Sequence, residues 1–535
     1  MIVLRGGRVY DPANGMDGAL RDVWIDGERI VPAPAAPPEG IVQVDAAGLI
    51  LAPAGIEIHT HVVGPTLNAA RRFLMGEPEA QRMLAPSASS AARDYLGLGY
   101  TTVFDAASSP LFARSVHADL GQMAGLDRGS YTLMGDHLLV LKALAGGSRE
   151  ELQAVLAWLL QASGGYAVKL VNPGAGLAWK AGQAALALDE PLGLGNLTQR
   201  QVIREVAAAV NTLGLPHPVH LHAARLGRPG AYQAFCRTVE ALEGQRAHLC
   251  HIQFYAYGDD GQGGFISAAE PVVDCLARYP ALSVDVGQVL FGSALAVTAD
   301  TQALAYLHAL TRKPWISRQV EGEGGASALP LAYLEQDPSS AVQWAVGLEL
   351  MLRFPDPGRI FLTTDHPNGG PFTAYPQIIE WLMRREARQV VLEGIHPAAQ
   401  KKTGLASIQR ELSLNEIIAM TSSGPAKALG LADRGHLAPG ALADIRCYRP
   451  QASLRDMFAR PAWVMRRGEI VAREGQVIQR QAGSTLVVRP GWDEDRRPAI
   501  YRALAPQISA RPEQYGLGQA FPAQAFQEVA CKSMG

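Results

Sequence analysis

The sequence is poor in several residue patterns that would commit a chain to a common function. Its 535 residues hold five cysteines, Cys236, Cys250, Cys275, Cys447 and Cys531. They are odd in number and form no C-x-x-C cluster, which leaves no basis for a disulfide framework, a ferredoxin-type iron–sulfur module or a cysteine zinc finger. Neither charge is in surplus: 48 Lys and Arg face 50 Asp and Glu, a formal net charge of −2. Phosphate contacts need excess cations, so a nucleic-acid partner is not expected. No apolar run approaches the ~18 residues of a spanning helix, and no basic segment followed by an apolar core opens the chain. A cytoplasmic protein without a membrane partner is expected. What is present, 48% hydrophobic and 18% charged residues, suits a folded chain of two to four domains at ~100–200 residues each. Thirteen histidines then pose the question of where they sit.

The first fifty residues read as short strands between Gly and Asp-Gly breaks, for example Ile2-Val-Leu-Arg and Val23-Trp-Ile-Asp-Gly. The same texture returns in Ala443-Asp-Ile-Arg-Cys-Tyr, Trp463-Val-Met and Glu469-Ile-Val-Ala. One small sheet domain built from both ends is expected. Between them, strand candidates (Tyr100–Phe104, Ala167–Val171, Val219–His222, Ala247–Ile252, Leu282–Val286, Ile360–Asp365) alternate with helix candidates (Arg149–Gln161, Thr198–Thr212, Ala231–Leu242, Ser339–Leu352). Such alternation predicts an α/β fold, either a (β/α)8 barrel or a doubly wound sheet. No G-x-G-x-x-G follows the first strand, which lowers the dinucleotide-binding option. From about Arg489 the chain reads as an extension or docking tail.

The chemistry-bearing residues fall at predicted strand ends. His59 and His61 close Ile-Glu-Ile-His-Thr-His, where positions i and i+2 share a strand face and both imidazoles can meet one metal. Lys169 lies in an apolar strand, where an ammonium needs a partner, a lowered pKa or a modification. His220 and His222 end the next strand, His251 ends Ala-His-Leu-Cys-His, and Asp365 ends Phe-Leu-Thr-Thr-Asp. A single strand histidine is usually an ordinary core or surface residue. Five such elements in order, on strand ends that converge in a barrel, make a zinc-type ligand set.

The order H-x-H, Lys, His, His, Asp resembles the amidohydrolase superfamily. So do the flanks Gly48-Leu-Ile-Leu-Ala-Pro-Ala-Gly-Ile-Glu and Gly435-His-Leu-Ala-Pro-Gly-Ala-Leu-Ala-Asp. Longer blocks, Lys169-Leu-Val-Asn-Pro-Gly, Cys250-His-Ile-Gln-Phe-Tyr-Ala-Tyr-Gly, Val284-Asp-Val-Gly-Gln and Thr363-Thr-Asp-His-Pro-Asn-Gly-Gly, resemble a narrower family. It comprises the A subunits of formylmethanofuran dehydrogenases and of bacterial formyltransferase/hydrolase complexes. The resemblance implies a metal-dependent (β/α)8 barrel at 51–414 and a small composite β-sandwich domain from 1–50 and 415–488, followed by a tail at 489–535. It also implies two divalent metal ions, zinc being the expected identity. His59 and His61 would bind one, His222 and His251 the other, and N-carboxylated Lys169 would bridge them. Asp365 would be both ligand and catalytic proton shuttle.

Lys180 is the competing lysine, beyond the Asn-Pro-Gly turn. His220, two residues deeper than His222, and His366, beside Asp365, are expected to support the ligands rather than bind metal. Arg225 and Arg228, just past the His222 strand, are candidates for holding carboxylates of a carrier. The reaction implied is hydrolysis of an N-formyl amide, formylmethanofuran or a bacterial analogue, to formate and free amine. It would take place within a complex of other subunits. Two alternatives stand beside it: a dihydropyrimidinase- or hydantoinase-like cyclic amidase or N-acyl-amino-acid deacylase, and a non-catalytic scaffold protein.

Overall fold

The computed structural model describes residues 1–36, 38–183, 186–318, 326–479, 481–504, 511–516 and 526–532. Its centre is a barrel of eight parallel strands: β1 (Gly55–Thr60), β2 (Tyr100–Ser108), β3 (Asp127–Leu133), β4 (Ala167–Val171), β5 (Val219–His222), β6 (Ala247–Leu249), β7 (Leu282–Asp285) and β8 (Ile360–Phe361). Each pairs in parallel with the next. The ring is drawn shut where Thr60 bridges His366 and the His61 N–H donates to the His366 carbonyl at 2.8 Å.

The outer helices follow from local rules. The helix Gln199–Thr212 starts at a capping box in which Thr198 and Gln201 satisfy each other's backbone N–H groups. Its Val202, Ile203, Val206 and Val210 form one buried stripe against the barrel. The helix Arg149–Ser163 begins on the Ser148 hydroxyl and stops at Gly164, whose φ of 60° lets the chain leave the helix without strain.

Three strands are shorter than the sequence predicts, β7 by the one residue Val286 and two others by more. β6 ends at Leu249 rather than Ile252, and β8 at Phe361 rather than Asp365. Neither could run on as predicted, because His251 has φ 38° and Asp365 φ 48°, left-handed values that no strand accommodates.

The two ends of the chain meet in one nine-stranded mixed sheet. Ile50–Pro53 lies between Ile2–Asp11, which it pairs in parallel, and Ile445–Tyr448, which runs antiparallel to it. Leu4, Val9, Ile25, Leu51, Ile445, Trp463 and Met465 share its apolar core. Between β7 and β8 the chain inserts an antiparallel pair, Gly292–Thr298 with Ala326–Tyr333, and a helix, Thr301–Thr311. This insertion stands over the C-terminal mouth of the barrel, where Leu295 N–H donates to the Pro367 carbonyl and Val297 N–H to Asn368 Oδ1. At the opposite end Thr485–Val487 pairs with β3 through Thr485 and Arg128, and Phe526–Glu528 adds to its far side. Residues 485–488, expected in the sheet domain, thus join the barrel instead, and the tail beyond them buries Ile500, Leu504 and Tyr515. No helix among the described residues is long and apolar enough to cross a membrane.

Candidate metal centre

Register decides which side chains meet inside the barrel. Lys169 on β4 is level with His220 on β5, which is level with His248 on β6. All three are buried. His222 lies two residues further toward the mouth, and the turns after β6 and β8 aim His251 and Asp365 back at the axis. His59 and His61 converge on the same carboxylate oxygen: His59 Nε2 is 3.1 Å and His61 Nε2 3.2 Å from Asp365 Oδ1. Positions i and i+2 thus bring both imidazoles to one point. His59, His251 and Asp365 present donor atoms within 4.8 Å of one another, as do His222, His251 and Cys250.

Behind these groups stands a buried hydrogen-bonded layer. Asp285 Oδ2 is 2.9 Å from His59 Nδ1 and 2.9 Å from His248 Nε2, while Oδ1 accepts the His251 N–H and the Thr363 hydroxyl. His220 is interior, linked by 3.1 Å contacts to His59 Nδ1 on one side and His217 on the other. Asp300, from the insertion, lies 3.3 Å from His222 Nε2 and also accepts from the Asn172 amide. His366 is buried against Phe372, and burial pushes its pKa down to about 3. Its carbonyl, rather than its ring, serves the site by taking the His61 N–H. Lys180 is exposed at the end of the helix Ala175–Lys180 and takes no part.

The residues present fit a divalent metal ion. Burial pushes His222 and His251 below the ordinary imidazole range, the direction that leaves a ring lone pair available to a metal ion. Burial also opposes charge on His59, but Asp285 and Asp365 outweigh it and raise its pKa, which marks that side as demanding a cation. Asp365 resists burial's upward push because the His251 and His59 imidazoles hold it well below the carboxylate range. Buried His251 Nδ1 and Asp365 Oδ1 have no aligned hydrogen bond. Orphaned buried donors of this kind, on imidazole and carboxylate, are what a zinc-type ion satisfies.

Arg225 and Arg228 do not reach this centre. They line a small pocket with Leu186, Gln302 and Asp300 on the outer side of His222. Arg225 is exposed; Arg228 is half-buried, donates to the Gln302 carbonyl at 3.2 Å and sits 4.7 Å from the Tyr306 ring centre. A second cleft opens beside His61 between Gly64, Asp105, Ser108, Ser109 and Val297.

The amidohydrolase family model matches residues 43–479, most of the chain. The protein belongs to the amidohydrolase family. Over 99% of both chains this amidohydrolase is 36% identical to the A subunit of the formyltransferase/hydrolase complex Fhc of Methylorubrum extorquens. It is 34% identical to the protein FwdA of Methanocaldococcus jannaschii, over 92% of each. It superposes on a chain of the crystal structure of the Methylorubrum complex FhcABCD with methylofuran at a TM-score of 0.94, covering 99% of this chain and 100% of that one, at 35% identity. A D-hydantoinase from a Bacillus species (TM-score 0.51, 17% identity, 90% and 98% covered) shares the fold alone.

Sequence reasoning missed Asp285, His248, His217, Asp300 and the contact made by Cys250. Asp285 carried the same signal as the others, a polar residue closing an apolar strand. Asp300 carried none, because the insertion that delivers it has no strand pattern of its own.

Proposed function

We propose that this amidohydrolase hydrolyses an N-formyl amide of the formylmethanofuran type to formate and free amine, as one component of a formyltransferase/hydrolase complex. The likeness over the whole length to a protein whose complex was solved with methylofuran carries this reading. In it His59 and His61 would hold one divalent ion and His222 and His251 a second, with carboxylated Lys169 and Asp365 as further ligands. Bound there, divalent ions supply a nucleophilic water at neutral pH and a Lewis acid for the formyl oxygen.

The remaining steps belong to the chain. Asp365 Oδ1, the carboxylate oxygen on which His59 and His61 converge, takes the proton of the attacking water and returns it to the amide nitrogen. That return is required because an amine leaves poorly as an anion. Asp285 fixes the His59 ring through Nδ1 and so sets which nitrogen faces the centre. The formyl group asks for little volume, so discrimination falls to the carrier; Arg225 and Arg228 present cations along the rim for its acidic groups.

The scaffold reading predicts lost ligands, yet every expected ligand position is filled. The test assays the purified complex for formate release from a formylated furfurylamine-type carrier and for hydantoin ring opening, with zinc measured per chain. Formate release with about two zinc equivalents supports the proposal; hydantoin opening alone, or a metal-free chain, overturns it.

A further inference from the structure

Cys250 is wholly buried where β5 and β6 approach the centre, and its sulfur has three polar neighbours, the Leu221 carbonyl, Lys169 Nζ and, more distantly at 3.4 Å, His251 Nε2. The thiol donates to the Leu221 carbonyl at 3.2 Å, beside the bond the Cys250 N–H makes to that same oxygen at 3.1 Å. With its proton committed there, Sγ turns its lone pairs toward Lys169 Nζ, 3.1 Å away, and accepts from it.

We propose that Cys250 is a positioning residue that holds Lys169 for carboxylation. This rests on the carbamate reading of Lys169 given above. In that reaction the Nζ lone pair of the neutral amine attacks carbon dioxide and an N–C bond forms. One C=O π pair moves onto oxygen, and a proton leaves Nζ for water. The product keeps a single N–H. A sulfur acceptor at 3.1 Å claims that hydrogen, fixes rotation about Cε–Nζ and turns the new carboxylate away from Cys250. An apolar neighbour would leave the N–H buried without a partner, a cost that opposes the modification itself.

The competing role is direct metal ligation, since Cys250 Sγ lies within 4.8 Å of the His222 and His251 donor nitrogens. The thiol's commitment to the Leu221 carbonyl favours positioning.

The test uses the full-length chain in its complex as wild type, Cys250→Ala and Cys250→Ser. Each is stripped of metal with a chelator and of carbon dioxide by dialysis into degassed buffer, then given zinc and titrated with ¹³C-bicarbonate. Carbamate is read by ¹³C NMR and zinc by elemental analysis, with Tm confirming the fold. Serine retains both a donor and an acceptor, so Cys250→Ser should fill at a bicarbonate concentration close to wild type. Cys250→Ala should need about fivefold to tenfold more, the loss of one buried hydrogen bond. Equal titration of Cys250→Ala and wild type overturns the proposal and leaves the carbamate reading standing. Zinc bound by wild type with no carbamate signal removes both. A sulfur scatterer at about 2.3 Å in zinc X-ray absorption replaces positioning by ligation.

Discussion

Two buried aspartates at opposite ends of the barrel show how differently the same residue is used. Asp127, at the start of β3, receives guanidinium groups: Arg466 at 2.7 Å and Ser484 N–H at 3.0 Å on one oxygen, Arg434 at 2.9 Å on the other. Its carboxyl is held well below the usual range by those arginines, which overcome burial. Asp365, at the mouth, has imidazoles nearby but an oxygen with no aligned bond. The closed end spends its polar groups on one another and joins β3 to the sheet domain and the tail. The open end leaves lone pairs pointing at a common place. In a barrel the first arrangement belongs to stability and the second to chemistry.

The sharpest way to break that contrast is Asp365→Asn. It should lower turnover by about 10²–10⁴ with zinc content and Tm nearly unchanged; full activity removes Asp365 from proton transfer. Next, Asp127→Asn should destabilise the fold by ~3–5 kcal/mol in thermal or denaturant unfolding, because it leaves buried arginines unpaired. Turnover per folded molecule should be unaffected. The pH dependence follows from the direction of the shift. A folded pKa below the unfolded ~3.9 contributes stability that is complete above about pH 4 and lost as pH falls. The acid limb of the wild-type stability curve should therefore flatten in Asp127→Asn. Asp285→Asn joins the two kinds of aspartate: zinc affinity by competition with a chelator should fall about 10–100-fold, with a smaller change in Tm. The smallest effect is expected at the rim, where Arg228→Ala should raise KM for the formylated carrier by roughly threefold to tenfold and leave kcat alone.

The barrel and much of its centre were legible because they obey short periods. Alternation marked the strands, the i, i+2 rule paired His59 with His61, and strand-end placement picked out His222. The rest depended on turns and register. Nothing local announces that His251 and Asp365 adopt left-handed backbone, yet those turns carry their side chains back to the axis. That Lys169, His220 and His248 share a level is fixed by how three parallel strands are staggered, which no single segment encodes. Asp300 reaches His222 only through an insertion whose path is set by tertiary contacts. Arg225 and Arg228, chosen by nearness in sequence, sit on the rim rather than in the centre.

The sheet that unites the two ends also sets a timetable. Leu51 finds its partner in Cys447, made roughly 400 residues later. At cellular rates this is on the order of 20–80 s of synthesis, during which the edge of Ile50–Pro53 has no partner of its own. The last strand of the tail, Phe526–Glu528, then pairs with Thr485–Val487 against β3. The nascent protein thus spends most of its birth with an exposed β-edge. Closing that edge is a late event that joins segments far apart in the chain.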